Sequence, residues 1–274
     1  MEVFDDYEIP VALDPNQTPS SQEDNEPKLI GKISSALYGG FTKILSLIST
    51  NMGKTDIISI EKGKLSTISG GGFLYCDLSI MFGENNFDII DPQYSINLMK
   101  LITGGDEVTF IDDEEKSRYL ISNIVDGKPQ INITLQKPDP SMNPKITKPE
   151  LGELQETLDN INPDLVNTIS TAEKKLDSQY FILEVSTGDN SEVISISTDN
   201  ETFKFNFKNI DNAETEQFKL FNPFPIAKPD EITFELYKND KGDYWVKTIS
   251  SVGLASIEYM EKLSKMTVFD TFSL

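Results

Sequence analysis

The chain has 274 residues, enough for one large or two ordinary domains, and its 38% hydrophobic content is that of a globular protein. Its single cysteine, Cys76, excludes an intramolecular disulfide framework and a multi-cysteine metal site, and the absence of histidine removes the commonest general base, nucleophile activator and zinc ligand. A formal charge of −21 argues against holding nucleic acid by bulk attraction, so enzyme classes and simple polycation behaviour are both disfavoured from the start.

Residues 1–27 hold eight acids and no lysine and read as a mobile acidic arm. The stretch lacks the basic-then-apolar pattern of a signal peptide, and no apolar run approaches a membrane span. A cytoplasmic protein is the expectation. Leu29–Ile33 reads as a strand. Ser34 or Ser35 then caps a helix to about Ser49, with Leu37, Phe41, Ile44 and Ile48 on one face and Thr42, Lys43, Ser46 and Ser49 away from it. Gly39-Gly40 weakens that helix. Asp56–Ile60, Lys64–Ser69 and Phe73–Ile80 alternate as strands. The glycines 70–72 form a turn. They lack the GKS/T ending and the following helix of a phosphate loop.

The segment FDIIDPQYSINLMKLITGGDEVTFIDDEEKSRYLIS, residues 87–122, sets the pattern for the chain. Phe87–Ile90 is a short strand, Asp91 caps a helix and Pro92 opens it. Tyr94, Leu98, Leu101 and Ile102 are predicted to form its apolar face, and Gly104-Gly105 stops it. Val108–Ile111 and Arg118–Ser122 form a hairpin around Asp112–Glu115. Those four acids could hold a divalent cation, but a solvated turn is the expectation, so no metal and no cofactor are assigned. Gln130–Leu135 is a further strand. Residues 29–136 thus hold two strand–helix–strands units in tandem.

Lys137–Pro149, KPDPSMNPKITKP, has four prolines and reads as an extended linker. The second half is expected to open with a helix at 150–160 carrying Leu151, Leu154 and Leu158, followed by one carrying Leu165, Ile169 and Leu176. Strands are predicted at Tyr180–Ser186, Glu192–Ser197 and Thr202–Phe207. Asp211–Glu216 reads as an acidic loop, and Pro223 and Pro225 preclude a regular long helix in Phe218–Ala227. Glu231–Tyr237 and Tyr244–Ile249 form a hairpin, and Leu254–Met266 reads as an amphipathic closing helix.

Charge is distributed unevenly. From Lys28 to Thr55 there are four lysines and no acid, where roughly four or five acids would be average. Pro92–Gly105, with Lys100, and Gln217–Pro229, with Lys219 and Lys228, are also acid-free.

Two tandem strand–helix–strands units, a linker and a second half of the same kind resemble the DNA sliding clamps, and most of all the two-domain, trimeric clamps of T4-type tailed phages. KISSALYGGFTKILSLIS stands where that family has its first inner helix, and residues 87–122 resemble its second unit. TKPELGELQETLDNI resembles the helix opening its second domain, and PDEITFELYKNDKGDYWVKTIS its final hairpin. The likeness spans roughly residues 29–250 and is one of pattern, because clamps carry no catalytic signature.

The resemblance implies an α+β fold of two tandem clamp-type domains, with helices on one face of antiparallel sheets. It divides the chain into an arm (1–27), domain 1 (28–136), a linker (137–149), domain 2 (150–252) and a C-terminal helix and tail (253–274). It implies a non-enzymatic processivity factor that encircles duplex DNA without regard to sequence and tethers a DNA polymerase, works with a clamp loader, and can also serve RNA polymerase accessory proteins. It implies a homotrimer. Lys28, Lys32, Lys43, Lys54, Lys100, Lys174, Lys175 and Lys228 would face DNA. Partner peptides would be received by Met142 and Ile146 with Phe221 and Phe224, while the tail TVFDTFSL, anchored by Phe269 and Phe272, itself resembles such a peptide. The acidic 150–160 segment and the prolines at 223 and 225 fit a DNA-facing wall poorly. A non-encircling clamp-like accessory protein and a virion structural protein therefore stay open as alternatives.

Overall fold

A computed structural model describes residues 27–51, 57–69, 71–139, 146–159, 161–187, 190–209, 214–221, 224, 229–252 and 255–266. The first unit is β1 (Lys28–Ser34), α1 (Ser35–Asn51), β2 (Ile57–Glu61), β3 (Lys64–Ser69) and β4 (Gly72–Asp77). The second, after a one-turn helix α2 (Ser79–Phe82), is β5 (Phe87–Ile90), α3 (Pro92–Met99), β6 (Glu107–Asp113), β7 (Arg118–Val125) and β8 (Lys128–Gln136). Each unit lends its first strand to the other. β1 pairs with β6, and β5 pairs with β2, all antiparallel. The units therefore cannot be pulled apart without breaking both ladders.

Local chemistry sets the turns. Lys62-Gly63 joins β2 to β3 and Asp126-Gly127 joins β7 to β8, each with both residues at positive φ, as a two-residue hairpin turn with the right twist requires. Asp91, at φ 42°, accepts a bond from the Tyr94 N–H at the start of α3, and Pro92 follows at the first helical position. Three expectations need correcting here. The predicted strand Phe73–Ile80 ends at Asp77, whose carboxylate accepts from the Ser79 N–H and turns the chain into α2. The helix predicted to reach Thr103 ends at Met99. Its buried face is Ser95, Ile96 and Met99, with Ile102 beyond, while Tyr94 and Leu101 are each 61% exposed. The helix stops before Leu101, so docking against α1 decides which side is covered, not the full run of apolar spacing.

The second half repeats the plan: β9 (Glu153–Leu158), α4 (Pro163–Leu176), β10 (Phe181–Ser186), β11 (Val193–Thr198) and β12 (Lys204–Asn206), then β13 (Thr215–Leu220), β14 (Glu231–Lys238), β15 (Tyr244–Val252), β16 (Ala255–Lys262) and the short β17 (Ser264–Lys265). First strands are again exchanged, β9 pairing with β14 and β13 with β10. Two predicted helices are strands. Residues 153–158 form β9 because their backbone groups are taken by β14, and the chain enters at Gly152, φ 93°, where a Cβ would lie 2.5 Å from the Asn239 Cα. Residues 255–262 form β16, paired on one side with β15 and on the other with β4. Leu151, Leu154 and Leu158, three and four apart, imitate a helix in the first segment, and in both segments sheet partners far along the chain decide the structure. The strand predicted at Thr202–Phe207 shortens to Lys204–Asn206.

The β4–β16 ladder joins the halves into one sheet of eight strands, ordered β5-β2-β3-β4-β16-β15-β14-β9, flanked by the sheets β1-β6-β7-β8 and β12-β11-β10-β13-β17. Two cores result. The first closes on an aromatic cluster in which Phe82 lies 5.3 Å from Phe41, 5.4 Å from Phe87 and 5.1 Å from Phe110, centroid to centroid. It also takes Ala255, Ile257 and Tyr259 from β16. The second gathers Val166 and Ile169 of α4 with Leu183, Phe218, Phe234 and Val246.

Candidate nucleic-acid interface and partner surface

The buried side of α1 is Phe41, Ile44, Leu45 and Ile48, each no more than 1% exposed, which leaves Gly39, Gly40 and Lys43 facing outward. Three bonds strap α1 to α3 and the turn after it. Tyr38 Oη donates to the Met99 carbonyl at 2.7 Å, Ser35 Oγ to the Gly105 carbonyl at 2.7 Å, and Ser49 Oγ to Gln93 Oε1 at 3.3 Å. Burial pushes the Tyr38 phenol well above its ordinary pKa, so it remains a donor. Between these elements opens a cavity of about 320 Å³, lined by Ser35, Tyr38, Gly39, Thr42, Lys100 and Gly104 among others.

The lysines fall into two classes. Some are taken up by acids: Lys32 by Glu107 at 2.9 Å, Lys137 by Asp112 at 2.7 Å, Lys204 by Glu184 at 2.9 Å and Lys262 by Asp243 at 2.7 Å. Lys43 of α1, Lys100 at the end of α3 and Lys175 in the last turn of α4 are exposed and make no ion pair among the described residues. A lysine already neutralised by a carboxylate offers little to an outside anion, so the available positive charge sits on lysines such as Lys43, Lys100 and Lys175 and on exposed Lys28, Lys64 and Lys128 of the strands, which also make no ion pair among the described residues. Among the predicted DNA-facing residues, Lys28 is exposed at the start of β1. Lys32 lies in the β1–β6 ladder against Glu107, and Lys174 is in α4 with its side chain outside the description. Lys54 and Lys228 lie outside the described residues.

Two of the four acids of the β6–β7 turn have cationic side-chain partners. Asp112 receives Lys137, and Asp113 is buried against Arg118, whose Nε donates to it at 2.8 Å and holds its carboxyl below the usual carboxylate range. The described residues contain no group of three or more acid, histidine or cysteine side chains placed to hold a metal, and no helix long and apolar enough to cross a membrane.

A second surface lies where the linker crosses the eight-stranded sheet. A cavity of about 280 Å³ is lined by Ile146 and Lys148 of the linker with Ser66, Phe73 and Tyr75 of β3 and β4. Lys148 Nζ sits 2.6 Å from Glu258 Oε2 and 4.6 Å from the centroid of the Tyr75 ring. Burial, followed by the charges of Asp77 and Glu258, raises the pKa of Tyr75. Of the predicted partner-binding residues, Ile146 is here, and Phe221 and Phe224 are not brought to it. Phe224 is 5% exposed and packs in the second core, its ring 6.1 Å from that of Phe234, so it is a core residue rather than an anchor. Phe221 is 45% exposed beside Tyr180 and does not line this cavity. Met142, Phe269 and Phe272 lie outside the described residues. Lys148, Tyr75 and Glu258 carried no sequence signal, because only the β4–β16 pairing makes Tyr75 and Glu258 opposite neighbours.

No family model matches this chain, and no curated protein matches it in sequence. Solved structures do match in shape. The proliferating cellular nuclear antigen of Entamoeba histolytica superposes with a TM-score of 0.59 at 11% identity, covering 88% of this chain and all of that one. The DNA polymerase III subunit beta of Borrelia burgdorferi gives 0.54 at 11% identity over 86% of this chain and 64% of that chain, so this chain spans less than two thirds of that subunit. PCNA of A. fulgidus, solved with the C-terminal region of FEN-1 bound, gives 0.50 at 15% identity over 87% and 98%. With its exchanged strand–helix–strands units and its helices on one face of antiparallel sheets, this chain has the α+β fold of the DNA sliding clamps.

Proposed function

We propose that the chain is a sliding clamp, a non-enzymatic DNA polymerase processivity factor whose copies close into a ring around duplex DNA. One observation carries the reading. Of the four repeats, β1–β4, β5–β8, β9–β12 and β13–β16, the first and fourth end in β4 and β16, which pair with each other, while the second and third end in β8 and β12, each a sheet edge among the described residues. The same pseudo-symmetric partnership is available to β8 and β12 only between chains. Such a head-to-tail contact generates a closed ring when the rotation closes. For a chain of two clamp-type domains, 28–136 and 150–252 joined by 137–149, the resemblance to the T4-type clamps implies three copies.

The unpaired lysines on α1, at the end of α3 and on α4 support a hole that contacts phosphates without reading bases, and those of α1 and α3 lie in acid-free segments that keep repulsion away from them. Lys28, Lys43, Lys100 and Lys175, with Lys54, Lys174 and Lys228, are proposed to face DNA, and Lys32 to contribute less. The neighbour solved with the C-terminal region of FEN-1 bound supports a docking place for partner peptides, which the resemblance to the clamps puts near the linker for polymerase, loader or transcription proteins, with Met142 and Ile146 at its border and Phe269 and Phe272 as a peptide of the chain's own. A phage protein working in the host cytoplasm fits this reading. The test is retention on DNA. A ring stays on circular duplex through gel filtration and runs off linear duplex, whereas a non-encircling accessory protein leaves both at the same rate.

A further inference from the structure

Glycine in mid-helix normally has a reason. Among the described glycines, every one except Gly39 and Gly40 has either a positive φ or neighbours that a Cβ would meet; at Gly72, for example, a Cβ would lie 2.1 Å from Tyr259 Oη. Gly39 and Gly40 have neither, since nothing among the described residues lies within 4 Å of a Cβ at either position. Both are helical and exposed, and α1 runs on unbroken to Asn51, so the pair serves no turn and no packing among the described residues. A helix keeps two adjacent glycines at a cost in stability. Something outside the chain that must approach the helix backbone closely would account for them.

The surroundings identify that partner by charge. Gly39 lines the cavity between α1 and the end of α3, and Lys100 lines the same cavity. Lys43 stands one helical turn beyond both glycines on the same side of α1. Neither lysine is paired among the described residues, and residues 28–55 and 92–105 contain no acid. Ser35 and Thr42 add hydroxyls at the cavity wall. We infer that Gly39-Gly40 is the point of closest approach of the DNA sugar–phosphate backbone, a bay in which a backbone phosphate lies against bare helix with Lys43 and Lys100 on either side. This inference rests on the clamp reading and adds to it the place where the duplex touches.

The test uses the full chain and a short duplex at low salt, read by fluorescence anisotropy. In Gly39→Ala/Gly40→Ala the formal charge is unchanged and both methyl groups have room, so the Tm rises by about 2–4 °C per alanine. Duplex affinity falls about three- to tenfold, the loss of a close neutral contact. Gly39→Gln, which fills the bay without charge, loses more. Stability and affinity moving in opposite directions is the signature expected. An alanine pair that binds as tightly as the unaltered protein, or one that lowers the Tm, overturns the bay while leaving the clamp reading intact. Failure of the unaltered protein to bind the short duplex overturns the bay, and release from circular and linear duplex at the same rate overturns the clamp reading with it.

Discussion

Lys148 Nζ lies 2.6 Å from Glu258 Oε2, and Glu258 is the cross-strand partner of Tyr75, whose ring the same ammonium covers at 4.6 Å. One linker residue thus sits astride the seam between β4 and β16, where the two halves of the chain meet. An exposed ion pair of this kind contributes about 0–1 kcal/mol and the ring contact about 0.5–1 kcal/mol. Lys148→Ala is therefore expected to change global stability little. It should, however, speed amide exchange in residues 146–152, an effect mass spectrometry reads directly. Unchanged exchange there would mean the linker is held by other contacts.

The seam itself tolerates less. Gly72 faces Glu261 across the ladder, and the Tyr259 ring fills the space where a side chain would stand. Gly72→Ala should cost about 1–3 kcal/mol in urea denaturation, the range of an overpacked core position. Tyr259→Phe removes the 2.8 Å bond from its hydroxyl to the buried Glu261 carboxylate and should cost about 1–3 kcal/mol.

Asp113 gives stability a pH signature. Arg118 holds its carboxyl below the usual range, so its folded-state pKa is lower than its unfolded one. The stabilisation is therefore present at neutral pH, begins to fade as pH falls past about 4, and is lost as pH drops through the folded value. Arg118→Gln should be less stable than the unaltered chain at pH 7, and the two should converge in strong acid. Thermal melts across pH 2–7 check this, and a difference that persists in acid would contradict it.

The two classes of lysine predict different salt behaviour. Lys43→Gln and Lys100→Gln should each reduce the slope of log K against log salt by about 0.9 and weaken all duplex sequences alike. Lys32→Gln should change the slope far less, because Glu107 already holds that ammonium at 2.9 Å. Equal effects from all three would mean that the difference between paired and unpaired lysines has no bearing on DNA.

The residues that announced themselves in sequence are those whose partners are local. Asp91 and Pro92 start α3 through contacts within one turn, and the β14–β15 hairpin needs only its own loop. The segments 153–158 and 255–262 were misread because their strand character lies in β14 and β4, far along the chain. The same holds for the candidate site. Acid-free segments made Lys43 and Lys100 visible, whereas the capture of Lys32 by Glu107 and the burial of Phe224 against Phe234 depend on tertiary pairing. The Lys148 clasp across the seam could be seen only once the sheet had formed.

On the proposed reading, β8 and β12 meet between copies and close a ring. Light scattering at several protein concentrations should then find a stable species of three times the 30.7 kDa chain mass. A strict 30.7 kDa monomer at the highest concentration would contradict self-closure and favour a clamp-like accessory protein that does not encircle DNA.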